Sequence, residues 1–175
     1  EFYLDPASFD VKIKVPNDFV VWGTGILQNP AHLLEEKYLK RYEQAWQSDT
    51  IVNIIAAEDI EDMDDVIRDD ERWNTWHYVA GSAPDFAFAT SNFYLWDASR
   101  IIIAGKPVFV DAAYNKNSWD FPEVAEIARK SVDYFSHEMP AYPFPYPAIT
   151  IFNGRGGMEF PMMVNDGSAK TRAGM

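Results

Sequence analysis

At 175 residues, 47% hydrophobic and 15% aromatic, the chain has enough apolar material for a sizeable core and is not a disordered segment. A formal charge of −12 argues against steering to a nucleic-acid backbone, and the absence of cysteine excludes disulfides, thiol catalysis and Cys-ligated zinc. No apolar run reaches membrane-helix length, no signal-peptide pattern follows Glu1, and the compartment stays open.

Phe9, Val11, Ile13 and Val15 alternate with Asp10, Lys12 and Lys14, which predicts an antiparallel strand with one buried face. Pro16, Asn17 and Asp18 turn the chain into a second apolar strand over residues 19–22, closed by Gly23-Thr24-Gly25, so the pair reads as a β-hairpin. Asn29-Pro30 can open a helix over residues 29–46 with Leu34, Tyr38, Tyr42 and Ala45 as its stripe, the alternative being a long excursion between strands. Residues 51–57 read as a short strand or buried segment. The acidic run 58–72 carries Ile60, Met63, Val66 and Ile67 at helical spacing.

Strand pattern returns at residues 72–80, with Trp76, Tyr78 and Ala80 on one face. Gly81-Ser82-Ala83-Pro84 is expected to break it, and in residues 85–91 Phe86 and Phe88 are expected to fill a core. The style changes near residues 97–106. A strand at 108–114 precedes a helix capped near Asp120, with Pro122 and Glu123 in its first turn. Val124, Ile127, Ala128, Ser131, Val132 and Phe135 form its core-facing stripe, and Pro140 lies beyond its end. The prolines of 140–147 forbid helix, while Tyr142, Phe144 and Tyr146 can pin the segment or present a polyproline-like ligand. Residues 148–152 form a buried strand.

Chemistry is sparse. His137-Glu138 begins like HExxH, but Ala141 stands where the second histidine belongs and Pro140 breaks the required helix; His32 and His77 lie far away. No GxSxG elbow occurs, residues 154–157 lack the Lys and Ser/Thr of a phosphate loop, and Asp62, Asp64 and Asp65 lack the spacing of a calcium loop. What remains is Glu159 after Gly156 and Gly157, between apolar segments. Open glycine backbone beside a carboxylate suits a ligand with an amine followed by a peptide bond. A glycine turn with a surface acid is the plainer alternative.

These residues resemble a family. Gly156-Gly157-Met158-Glu159 is similar to the GAMEN (GGME) signature of the zinc aminopeptidases of the aminopeptidase N family. The strand, helix and Tyr-Pro/Phe-Pro stretch before it, and Asp85-Phe86-Ala87-Phe88-Ala89 at the end of a β domain, are similar too. The resemblance implies a mixed β/α fold: an antiparallel β-sandwich-like portion in residues 1–98, then the first strand-helix-strand unit of a thermolysin-like catalytic domain in residues 99–175. It implies that Glu159 holds the substrate's free α-amine and that Gly156, Gly157 and Met158 line the peptide, with no catalytic residue and no metal ligand in this chain. Zinc, HExxH, the third ligand and a transition-state tyrosine belong to the full-length parent, of which this chain would be an inactive fragment. The implied partners are a peptide with a free N-terminus and the remainder of the catalytic domain. No nucleic acid or membrane segment is expected, and self-association through an exposed sheet edge is. A periplasmic or extracellular bacterial location follows from the resemblance alone. Phe160 stands where the motif's Asn is usual. The alternative function is a non-catalytic β-rich module binding peptide or carbohydrate through Trp76, Tyr78, Trp96 and the aromatics of 142–146.

Overall fold

The computed structural model describes residues 5–61, 65–68 and 72–168. Their strands form sheets of three, two and six. In the first, β1 (Ala7–Pro16) lies antiparallel to β5 (Trp73–Ala83), which also pairs with the short β3 (Ile26–Leu27). The alternation in β1 is the expected one: Val11 stands opposite Tyr78 and Ile13 opposite Trp76, while Asp10, Lys12 and Lys14 face solvent.

The expected hairpin does not form. β2 (Val20–Gly23) pairs with β6 (Phe88–Ser91), and all four β2 residues are buried, so this strand belongs between layers and cannot share the half-wet sheet of β1. Gly25 lies against β5 with φ +101, and a Cβ there would meet the Val79 carbonyl oxygen at 2.3 Å. That close approach folds the 22–25 segment back over the core.

The six-stranded sheet runs β10 (Met158–Phe160), β11 (Met163–Asp166), β9 (Ala148–Asn153), β8 (Lys106–Asn115), β7 (Tyr94–Ile103), β4 (Val52–Ile55). β4 (Val52–Ile55), β7 (Tyr94–Ile103) and β8 (Lys106–Asn115) are antiparallel neighbours, and Ala104 and Gly105, both at positive φ, make the two-residue turn between β7 and β8. A short 3₁₀ turn (Phe121–Glu123) with Asp120 at its N-cap leads into helix α3 (Val124–His137), which returns the chain to β9 (Ala148–Asn153), parallel to β8. This is the expected strand-helix-strand unit, and the mixed β/α class is the observed one. β7 runs continuously through residues 98 and 99.

Two cores lie on opposite faces of this sheet. Trp96, Phe109, Ala113, Ala148 and Met163 face Trp22, Tyr42 and the β1–β5 side. Val108, Val110, Ala112, Tyr114 and Ile151 face Ala125, Ala128 and Val132 of α3.

Several local expectations are corrected. The helix expected at 29–46 is two, α1 (Pro30–Leu33) and α2 (Glu36–Ala45), because Leu34 is extended and bridges Ile67. Residues 59–61 form a 3₁₀ turn, and much of the acidic run, including 62–64 and 69–71, lies outside the described residues. β5 continues through Gly81 and Ser82 to Ala83. Phe88 is 55% exposed, so only Phe86 packs inward, against Phe9. In α3 the core-facing edge is Ala125, Ala128, Val132 and Ser136, whereas Ile127 and Phe135 are more than half exposed. Trp76, Tyr78 and Trp96 are core residues and form no surface patch.

Candidate functional site

The glycine-rich segment connects β9 to β10 (Met158–Phe160), and a turn at Pro161 and Met162 leads on to β11 (Met163–Asp166). β11 inserts between them: it runs parallel to β9 and antiparallel to β10, leaving β10 as the sheet's edge strand. The linking loop must therefore cross the end of β11. Gly154 N–H donates to the Asp166 carbonyl at 2.9 Å, and a Cβ on Gly154 would lie 1.9 Å from Asn165 Oδ1, so a side chain there obliges the Asn165 amide to move. Gly156 has φ +96, and open space surrounds both Gly156 and Gly157.

Alternation along β10 decides what its side chains meet. Phe160 stands opposite Met163 and packs on the core shared with Trp22 and Trp96, whereas Glu159 stands opposite Val164 and points to the other face. Glu159 is exposed, as are Met158, Gly157 and Gly156. The four residues singled out from sequence thus follow one another into an edge strand whose outer side pairs with no strand among the described residues.

The turn after β10 is anchored from two directions. Thr24 Oγ–H donates to the Pro161 carbonyl at 2.9 Å, and Thr150 N–H donates to the Met162 carbonyl at 3.0 Å. Met162, at φ 62, is 3% exposed and packs with Ala80, Ala83, Phe9 and Tyr146. The carbonyls of both turn residues are thereby held by the body of the protein.

On the Glu159 face an apolar groove of ≈ 570 Å³ opens between α3 and the sheet, lined by Ile127, Phe135, Tyr142, Phe144, Ile149 and Val164 among others. A second hollow of ≈ 730 Å³ lies between Tyr142–Pro147 and the β7–β8 turn. The proline segment is thus pinned by Phe144 and Tyr146, both half-buried, while Tyr142 is 71% exposed.

Two buried aspartates of the six-stranded sheet escaped sequence reasoning. Asp97 accepts Asn53 Nδ2–H and the Tyr114 hydroxyl, both at 2.6 Å, and burial raises its pKa. Asp111, on the opposite face, accepts Trp96 Nε1–H and the Thr150 hydroxyl, both at 2.7 Å, and burial pushes it up to about 7. The available signal was a lone acid inside each of two apolar strands, YLWDASRIII and KPVFVDAAYN.

Metal-binding groups are a separate matter. His77 Nε2 pairs with Asp10 and His137 Nδ1 with Asp133, each at 2.8 Å, and His32 is exposed. Among the described residues no three His, Asp or Glu side chains gather to hold a metal, so they do not fit a zinc site. No helix among them is long and apolar enough to cross a membrane.

No family model matches the sequence, and no curated protein matches it significantly. Solved structures do match. One is a glutamate-to-alanine variant of a two-domain M1 zinc metallopeptidase bound to L-tryptophan, with TM-score 0.54 and 12% identity. Two others are the corresponding Deinococcus radiodurans M1 zinc metallopeptidase variant, with a Tyr-Ser-Ala substrate (TM-score 0.51) and without it (0.52), each also 12% identical. In all three the match covers 96% of this chain and 32% of the other, so the chain spans about a third of the length of these proteins. The mixed β/α fold described above is the fold of that part of an M1 zinc metallopeptidase.

Proposed function

We propose that this chain is the substrate-amine-binding part of a zinc-dependent aminopeptidase that removes N-terminal residues from peptides. Zinc and the residues that hold it belong, in this reading, to the remainder of a longer catalytic domain. The apolar groove beside α3 suits packing by that remainder.

The observation that carries the reading is the open edge of β10, with an exposed glutamate on the face opposite Phe160 after two unobstructed glycines. A peptide laid along this edge finds free backbone groups to pair with, as in β-strand addition. Its terminal ammonium then meets the Glu159 carboxylate in a charge-assisted hydrogen bond. Gly156, Gly157 and Met158 supply the neighbouring backbone, and the absence of Cβ atoms at the glycines lets the peptide approach closely.

The test is binding of trialanine to this chain, followed by NMR titration beside N-acetyl-trialanine. Trialanine is expected to perturb residues 156–160, the acetylated form to bind at least tenfold more weakly, and Glu159→Gln to erase the difference, as loss of one hydrogen bond to a charged group (about 1.5–3 kcal/mol) requires. Equal binding of both peptides to the unaltered chain overturns the reading.

A second reading is favoured by the groove itself. A non-catalytic module would seat a peptide or carbohydrate against Phe135, Tyr142 and Phe144. Perturbations confined to α3 and residues 142–146, abolished by Tyr142→Ser and indifferent to Glu159→Gln, distinguish it.

A further inference from the structure

Asp111 is buried where the β2–β3 segment meets the six-stranded sheet, with no cationic side chain among the described residues that line the adjoining space. Its two recorded side-chain partners, Trp96 Nε1–H and Thr150 Oγ–H, come from the flanking strands of its own sheet. A cavity of ≈ 20 Å³ lies beside it, lined by Asp111, Trp96 and Thr150 and, from the opposite layer, by Trp22, Tyr42 and Tyr78. Trp22 is 1% exposed, and its indole Nε1–H has no hydrogen-bond partner among the described residues. A residue with a buried, unpartnered donor and a residue with carboxylate lone pairs to spare thus line one space. A cavity needs roughly 10–15 Å³ and two to four polar neighbours to hold a water.

We propose that this cavity is a binding site for one water molecule, which accepts the Trp22 indole N–H and donates to the Asp111 carboxylate, tying β2 to β8. Water is the ligand of matching chemistry: it accepts from an indole and donates to an acid in the same position, which neither a cation nor an apolar guest does. Tyr78 does not compete for the place, since its hydroxyl donates to the Val21 carbonyl at 2.7 Å.

The site also makes the seam sensitive to pH. Burial raises the Asp111 carboxyl to about 7, against the opposing hydrogen bonds from Thr150 and Trp96. The other titratable groups facing it are the phenols of Tyr42 on α2 and Tyr78 on β5, both raised by burial, and the cavity lining contains no other acid and no base. Because the folded protein holds this proton more tightly than the unfolded chain, the contribution is fully present below about pH 4 and is lost as pH rises through about 7.

Water-selective NMR at pH 8 on the ¹⁵N-labelled chain tests the site. A cross-peak from the Trp22 indole N–H to a long-lived water is expected, absent in Trp22→Phe, whose remaining spectrum reports whether the fold is kept. A Trp22 indole in contact with no water, or an ammonium or alkali ion in the cavity, overturns the proposal. If Trp22→Phe fails to fold, the wild-type cross-peak decides alone. For Asp111, the urea midpoint is expected to fall between pH 5 and pH 8 in the wild type and to fall less in Asp111→Asn; equal slopes overturn its part.

Discussion

Thr24 and Pro161, 137 residues apart in sequence, are joined by a hydrogen bond of 2.9 Å from the threonine hydroxyl to the proline carbonyl. The same hydroxyl accepts Ala87 N–H at 3.1 Å, and Thr24 is fully buried. One side chain thus ties the β2–β3 segment, the approach to β6 and the turn that follows Glu159. Thr24→Val keeps the shape but leaves the Ala87 N–H without this acceptor. It is expected to destabilise by about 1–3 kcal/mol, with Thr24→Ser costing less, measured from urea midpoints.

Asp59 organises α2. Its carboxylate accepts Lys37 Nζ–H and Arg41 Nη1–H at 2.6 Å, Ala56 N–H at 2.9 Å and the Tyr38 hydroxyl at 3.1 Å. Burial raises its pKa, but the Lys37, Ala56 and Arg41 interactions outweigh that and bring it from 3.8 down to about 2. A depressed folded value means stability that is present above about pH 4 and lost as pH falls toward 2. Asp59→Asn is expected to cost about 2–4 kcal/mol at pH 7 and progressively less below pH 4, read from denaturant curves across that range.

The glycines of the 154–157 loop are not equivalent. Gly154→Ala places a methyl group on Asn165 and is expected to loosen β10 and β11, seen as faster amide exchange in residues 158–166. Gly157→Ala meets open space and is expected to leave that exchange unchanged.

β1 pairs with β5 on one side alone among the described residues, and its other edge is open over ten residues. Weak dimerisation through this edge is expected, with Lys12 and Lys14 on its wet face limiting it. Sedimentation velocity over a hundredfold concentration range measures it, and a strict monomer throughout removes the edge from consideration.

Sequence legibility tracked how local the physics was. β1, β8, α3 and β9 were readable because period-2 and period-3.6 patterns are set by their own residues. The partner of β2 was not, since pairing with β6 depends on burial from both sides, which an apolar run of four cannot declare. Ile127 and Phe135 fall on the periodic stripe yet stand exposed, because periodicity reports an apolar stripe and not its cover. Glu159 was legible as a type of residue after two glycines, but the edge position that gives it an accessible backbone came from β11, whose place between β9 and β10 has no local signature.

That insertion has a consequence for how the molecule is assembled. A ribosome makes β10 before β11, yet β10 has nothing in its own sheet to lean on until β11 has slotted against β9. Ending the chain at residue 162 would therefore retain every residue of the glycine-glutamate signature while removing the surface on which it is displayed. The signature is written early and mounted late, and a deletion series from the C-terminus should switch its peptide binding off between residues 166 and 162, in one step.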